Sequence, residues 1–273
     1  MDLLLLRQAI VLLASAVSAY TDWKTGMVFD KITYPLIAVG AILNLLEQQW
    51  LGFALGAAVF AIGYAFYFSG KIGGGDVKLF TGIALVLPFF GNAIFLLNSL
   101  FVSAVAAVVV FTAYFAGKYL LKNGLNFKEN RKGMLTALLF GAVLLLYLFF
   151  IFQMRILSLL SIIMIAIPLL FGLIFFAFEK GIRKEFFLKK IKITALEEDE
   201  LFASEFEKEE TVKLLGLKFK GVLGKDEIAK LKKAGIKEVL VYRDAPRFAP
   251  FFFIGCLVAM IFPNLLELFF LRL

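Results

Sequence analysis

Along the 273 residues, long apolar runs alternate with short polar breaks, and this pattern sets the architecture before any motif is considered. The runs fall at 3–20, 31–46, 51–69, 77–90, 92–116, 134–152, 156–178 and 248–270. A helix needs roughly 20 apolar residues to cross a bilayer, within a range of about 17–25. The fourth run is short and adjoins the fifth, and 77–116 read as one piece is far too long for a single crossing. Pro88-Phe89-Phe90-Gly91-Asn92 supplies the break, since proline stops a helix and Gly-Asn favours a turn.

The one sizeable polar segment, 179–247, has a different rhythm. Its basic opening (Lys180, Arg183, Lys184, Lys189, Lys190, Lys192) suits a helix end meeting anionic headgroups. Ile191 to Thr194 alternates like a short strand, and Glu197 to Glu210 is acid-rich and expected to be partly helical. Lys225 to Lys233 has helical periodicity between Gly224 and Gly235, and Ile236 to Tyr242 reads as a strand. The expected fold is therefore an all-α polytopic membrane protein of about eight transmembrane segments. A small α+β cytoplasmic domain, 179–247, is inserted before a C-terminal transmembrane helix, 248–273.

Composition supports the membrane reading. Hydrophobic residues make up 62% of the chain, charged residues 18%, and the mean hydropathy is +0.91. Soluble domains run nearer about 45–50% apolar and about 25% charged. Charge then orients the chain. With eight crossings and both termini outside, the inside regions are 21–31, 70–78, 117–133 and 179–247. They hold 26 of the 29 Lys and Arg, leaving only Arg7, Arg155 and Arg272 outside. Cytoplasmic loops carry that excess. Asp22 then closes the first helix and Asp76 opens the fourth, both at the cytoplasmic face. Sequence spacing alone does not show that they meet.

Missing residue types narrow the chemistry. There is no histidine, and the single cysteine, Cys256, lies in the last apolar run. Disulfides, cysteine-based zinc sites and thiol–histidine or serine–histidine catalysis are excluded. Paired carboxylates stay available: one draws a proton from water while its protonated partner supports a carbonyl in a tetrahedral intermediate. Each acid also has a structural reading. Asp76 behind three glycines could cap the fourth helix, Asp22 could be a solvated helix-end charge, and Asp30 suits the N-cap of the second helix. Lys78 could orient a site or simply mark the cytoplasmic face. Glu47 and Glu267 are expected to reach water at outer helix ends.

Gly73-Gly74-Gly75-Asp76-Val77-Lys78-Leu79 contains the GxGD signature of membrane aspartyl proteases and resembles the type IV prepilin peptidases and their archaeal preflagellin (archaellin) branch. The resemblance covers residues 1–116, and the segment 244–250 with the polar insert is similar to archaeal members. It implies an aspartic-type endopeptidase within 1–178, with Asp22 and Asp76 catalytic and Gly73, Gly74, Gly75 and Lys78 shaping the substrate loop. It also implies cleavage of short basic leaders from pilin-like or archaellin precursors at the cytoplasmic face of the cell membrane. With one cysteine, the chain is expected to lack the four-cysteine zinc domain of many bacterial members, and no metal, cofactor or nucleic-acid partner is expected. The alternative is an ion- or proton-coupled transporter or channel using the same acids. That reading wants acids near the bilayer midplane on repeated halves, and no internal repeat is visible.

Overall fold

A computed structural model describes residues 3–69, 72–155, 157, 159–196, 200–216, 221–243 and 246–265. Each apolar run contains a helix. They are α1 (Leu3–Thr25), α2 (Asp30–Leu46), α3 (Trp50–Phe68), α4 (Gly74–Val86), α5 (Phe95–Asn123), α6 (Phe127–Gln153) and α7 (Leu159–Ile182). The small unit adds two short helices, α8 (Glu209–Leu215) and α9 (Lys225–Lys233), and the last described helix is α10 (Ala249–Ile261).

Five of the described helices are long and apolar enough to cross a membrane: α1, α3, α5, α6 and the helical stretch Ser161–Phe187 built on α7. The other three fall short for visible reasons. α2 has 17 residues and begins with Asp30 and Lys31, and α4 has only 13. α10 stops at Ile261 before Pro263, and the expected continuation to 270, with Glu267, lies outside the described residues.

Boundaries shift most around α4. The fourth helix starts at Gly74 rather than 77 and ends at Val86 rather than 90. Residues 89–94 form a two-stranded hairpin instead, β1 (Phe89–Phe90) with β2 (Ala93–Ile94), turned by Gly91 at φ +62°. At 1.5 Å per residue α4 is about 20 Å long. It is also the most enclosed element: Leu79, Ile83, Ala84 and Val86 have no exposed surface. α2 and α3 lie along it with small residues at the contacts, as membrane helices commonly do. A Cβ on Gly40 of α2 would stand 2.6 Å from the Leu85 Cβ and 2.8 Å from the Val86 backbone nitrogen. Phe252 and Cys256 of α10 and Val11 of α1 complete the same core.

The carbonyl end of α4 is satisfied from neighbouring helices. Asn44 donates through Nδ2 to the Leu85 carbonyl at 2.9 Å, and Arg7 donates to the Val86 carbonyl. Arg7 also pairs with Glu47 at 2.9 Å. The sequence reading assigns Glu47 to water and Arg7 to an outside flank. Glu47 is exposed, as that reading expects, but it is also the counter-ion of Arg7, which is buried at 4% exposure rather than a solvated flank.

The segment 188–242 is an α+β unit. Its antiparallel sheet has the order β3–β6–β4–β5, with β3 at Leu188–Lys192, β4 at Glu200–Phe202, β5 at Val222–Leu223 and β6 at Glu238–Tyr242. β3 runs the length of β6, from Leu188 against Tyr242 to Lys192 against Glu238. Leu223, Leu231, Val239 and Val241 are fully buried in its core with Ile193 and Phe202. The expected strand at Ile191–Thr194 is displaced: the strand ends at Lys192, and Ile193–Ala195 turns as a 3-10 helix. The acid-rich stretch holds a strand before its helix, and Glu197, Glu198 and Asp199 lie outside the described residues.

Gly40→Ala should destabilise the protein by about 1–3 kcal/mol, because the new methyl meets backbone atoms of α4 rather than a yielding side chain. Gly117→Ala in α5 meets nothing within 4 Å and should leave stability unchanged or slightly raised. Unfolding of the two purified variants in detergent, compared with the unmodified chain, checks both expectations.

Candidate active site

The site begins with how α1 ends. Gly26 at φ +76° terminates the helix, and its N–H bonds to the Asp22 carbonyl at 2.8 Å. Asp22 therefore sits inside the last turn of α1, which runs on to Thr25, rather than closing the helix. Its side chain is 8% exposed. Oδ2 accepts the backbone N–H of Ala249 at 3.1 Å, joining residues 227 positions apart. Ala249 opens α10, so the carboxylate lies at a helix N-terminus, where free N–H groups and the helix dipole favour an anion. Arg247, just before that helix, is within electrostatic range of Asp22.

Asp76 reaches the same end of the bundle from α4. Gly73 is the N-cap residue, in extended conformation, and Asp76 is the third residue of the first turn. Its carboxyl turns back against the Gly73 backbone N–H, and a Cβ on Gly73 would lie 3.1 Å from Oδ2. Asp76 thus occupies the back-reaching position of a capping arrangement, not the cap residue itself. The half-buried Asp76 and Asp22 are within electrostatic range of each other. The two carboxylates of the sequence reading therefore lie toward the same end of the bundle.

The glycines divide by what stands over them. Gly75 lies under the turn after α1, where an added Cβ would be 2.6 Å from the Val28 carbonyl oxygen. Gly74 faces the Tyr67 ring at 3.4 Å, an ordinary contact, and Gly73 is exposed. Lys78 points toward α2: Nζ bonds Asp30 Oδ1 at 2.6 Å and lies 4.8 Å from the centre of the Tyr34 ring. Asp30 is accordingly not the N-cap of α2. Phe29 holds that place, and the Asp30 carboxylate fastens α2 to the start of α4.

Sequence reasoning missed Arg247 and the Ala249 N–H as neighbours of Asp22. The available signal was Pro246-Arg247-Phe248-Ala249-Pro250, a basic residue between prolines opening an apolar helix. Asp244 and Ala245 of that segment lie outside the described residues. Phe248 meets Phe80 of α4 edge-on and Phe252 lies tilted against the same ring, so the start of α10 is seated beside the Asp76 helix.

A profile of the type IV leader peptidase family matches residues 9–111, a stretch that contains both Asp22 and Asp76. Over that stretch the chain is similar to the type IV leader peptidase family. A protein named prepilin peptidase EppA, from Methanothermobacter thermautotrophicus, is 38% identical over 93 residues. That alignment covers 31% of this chain and 24% of the relative, so the match spans about a quarter of the relative's length. No solved structure matches the chain. The partial family match and the long apolar helices together indicate a membrane protein.

Gly75→Ala should lower stability by roughly 1–3 kcal/mol, because its methyl confronts a backbone carbonyl. Gly74→Ala, facing only the edge of a ring, should change it by less than about 0.5 kcal/mol. Thermal unfolding in detergent distinguishes the two. Equal effects would contradict the packing of the 26–29 turn over Gly75.

Proposed function

We propose that the protein is a membrane-embedded aspartyl endopeptidase that removes short basic leaders from type IV prepilin-like or archaellin precursors. One observation carries this reading: Asp22 and Asp76, 54 positions apart in the sequence, reach one end of the helix bundle within electrostatic range of each other, inside the segment that matches a leader peptidase family. Two neighbouring carboxylates, one protonated and one charged, form a unit able to activate water without a metal or histidine. The charged member takes a proton from water as the oxygen attacks the scissile carbonyl. The protonated member donates to the carbonyl oxygen and supports the tetrahedral intermediate. Such a pair titrates as one system, so the two roles belong to the pair.

The match to the leader peptidase family and the name of the similar protein support the substrate class. A precursor helix lying in the bilayer beside α1 and α4 would bring its leader boundary to the depth of Gly73–Asp76. Exposed Gly73 leaves room for an extended strand to pass close to the backbone, and Lys78, tied to Asp30, fixes the wall of that passage.

The same reading gives the chain eight crossings, with the active site on the cytoplasmic face and both termini outside. It makes 1–178 the catalytic membrane region, 179–247 a cytoplasmic domain and 248–273 a final membrane helix. The placement of 26 of 29 cations supports this orientation. So does the bond from Ala249 to Asp22, which favours one side for the polar domain and the aspartates. The transporter alternative finds no support in the family match.

A precursor with a short basic leader and a hydrophobic helix, incubated with the protein in membranes, should be cut once near the leader boundary. Asp22→Asn and Asp76→Asn should each reduce the cleavage rate at least about 100-fold, the scale of a lost acid–base group. Full activity in either variant would remove the dyad.

A further inference from the structure

Away from the aspartates, α6 and α7 cross closely at the end of the bundle next to the α+β unit. A Cβ on Gly133 would be 2.8 Å from the carbonyl oxygens of both Phe176 and Ala177, so the two backbones touch there. Beside that crossing opens a cleft of about 420 Å³. Its charged walls come from Lys128, Arg131 and Lys132 at the start of α6 and from Lys180 and Arg183 across it.

The carboxylates in this cleft are already engaged. Glu179 and Glu205 both pair with Arg183, at 3.1 and 2.7 Å, and Glu129 pairs with Lys184 at 2.6 Å. Lys128, Arg131 and Lys132 are exposed and form no ion pair among the described residues. Lys180 rests over the Phe206 ring and forms no ion pair among the described residues. The cleft thus holds an excess of positive charge.

Its walls are fixed. Asn130, 1% exposed, accepts the Gly181 N–H at 3.0 Å and donates to the Tyr119 hydroxyl at 2.9 Å. One side chain therefore ties α5, α6 and α7 together directly behind the cations. On its outer side the cleft runs into apolar surface: Phe176 lines it, and Leu135, Leu138 and Leu139 follow along α6 at 57–75% exposure. A concentration of cations that grades into uncovered apolar helix, in a membrane protein, matches a ligand with an anionic head and hydrocarbon tails.

We propose that this α6–α7 cleft binds an anionic phospholipid, with the headgroup phosphate held by Lys128, Arg131, Lys132 and Lys180 and the acyl chains laid along Leu135–Leu139. Interfacial lysine and arginine attract anionic headgroups, and their aliphatic stems follow the apolar surface while the charge reaches the phosphate. The chain continues from α7 into β3 of the α+β unit, so a lipid in this cleft would pin that unit to the bilayer surface at its root.

The test uses the full chain, stripped of lipid in detergent and offered equal amounts of phosphatidylglycerol and phosphatidylcholine, with adducts read by native mass spectrometry. Phosphatidylglycerol should dominate, and a large excess of inorganic phosphate should leave its adduct in place. The double variant Arg131→Gln/Lys132→Gln should bind it roughly tenfold to thirtyfold more weakly, the expectation for two interfacial cations. Lys230→Gln/Lys233→Gln, with the same charge change on α9, should bind as the unmodified chain does. Equal uptake of the two lipids, displacement by free phosphate or by an acidic peptide, or equal weakening in both double variants would overturn the assignment. Both pairs are exposed, and thermal unfolding confirms that each variant is folded.

Discussion

A helix of 13 residues sits at the centre of a bundle in which two of its neighbours, α1 and α3, are long enough to cross a bilayer. At about 20 Å, α4 is shorter than the roughly 30 Å hydrocarbon layer. An end that stops short leaves carbonyl groups without partners, and lipid offers them none. Much of the surrounding arrangement answers that constraint. Asn44 and Arg7 donate to Leu85 and Val86, Glu47 balances the arginine, and the 89–94 hairpin carries the chain on to α5. A cation at this position also matches the negative end of the helix dipole. With α1, α2, α3 and α10 packed around it, α4 is held by its flanks and its carbonyl end, which leaves its amino end to present Asp76.

The site is consequently assembled from elements far apart in sequence. Asp76 arrives on α4, Asp22 on α1, and the N–H that Asp22 accepts on α10. That last bond makes Asp22 a partner of the N-terminus of α10, the last described helix, beside its place in the proposed carboxylate pair. It also ties the geometry of the pair to the α+β unit, because only a short connection separates β6 from α10. Lys78 and Asp30 add a third tie, from α4 to α2. An exposed ion pair of this kind contributes little stability, about 0–1 kcal/mol. Its value lies in fixing where the first turn of α4 stands relative to α2.

What could be read from the sequence follows from which interactions are local. Apolar runs specify helices through composition, so each expected run contains one. The Gly224–Gly235 helix and the Glu238–Tyr242 strand were legible because glycine termini and residue alternation are local signals. Helix ends were less so: α1 passes Asp22 because nothing stops it until Gly26, and α4 begins at Gly74 because Asp76 can reach back to Gly73. Arg7 resembled a flanking charge, since no pattern within α1 reveals an acceptor 79 residues away. Ala249 was invisible for the same reason, as a backbone N–H leaves no trace in composition. The GxGD motif pointed to Asp76 and the family resemblance to Asp22, while their spatial relation is a matter of tertiary structure that sequence spacing does not carry.

The two ends of α4 are built on opposite principles. Its carbonyl end is closed, with a buried arginine, an asparagine of zero exposure and a counter-ion holding it in place. Its amino end is open, made of glycines and a half-buried carboxylate beside an exposed residue 73. Glycine there costs conformational entropy and contributes no side-chain packing, so stability alone does not explain three in a row. Close backbone approach does explain Gly75, which the Val28 carbonyl overhangs. Gly73 and Gly74 have no comparable backbone obstruction among the described residues: Gly74 lies against the Tyr67 ring, and Gly73 is exposed just before Asp76. Rigid support at one end and access at the other is the division expected where a scaffold fixes a carboxylate while another chain must reach it.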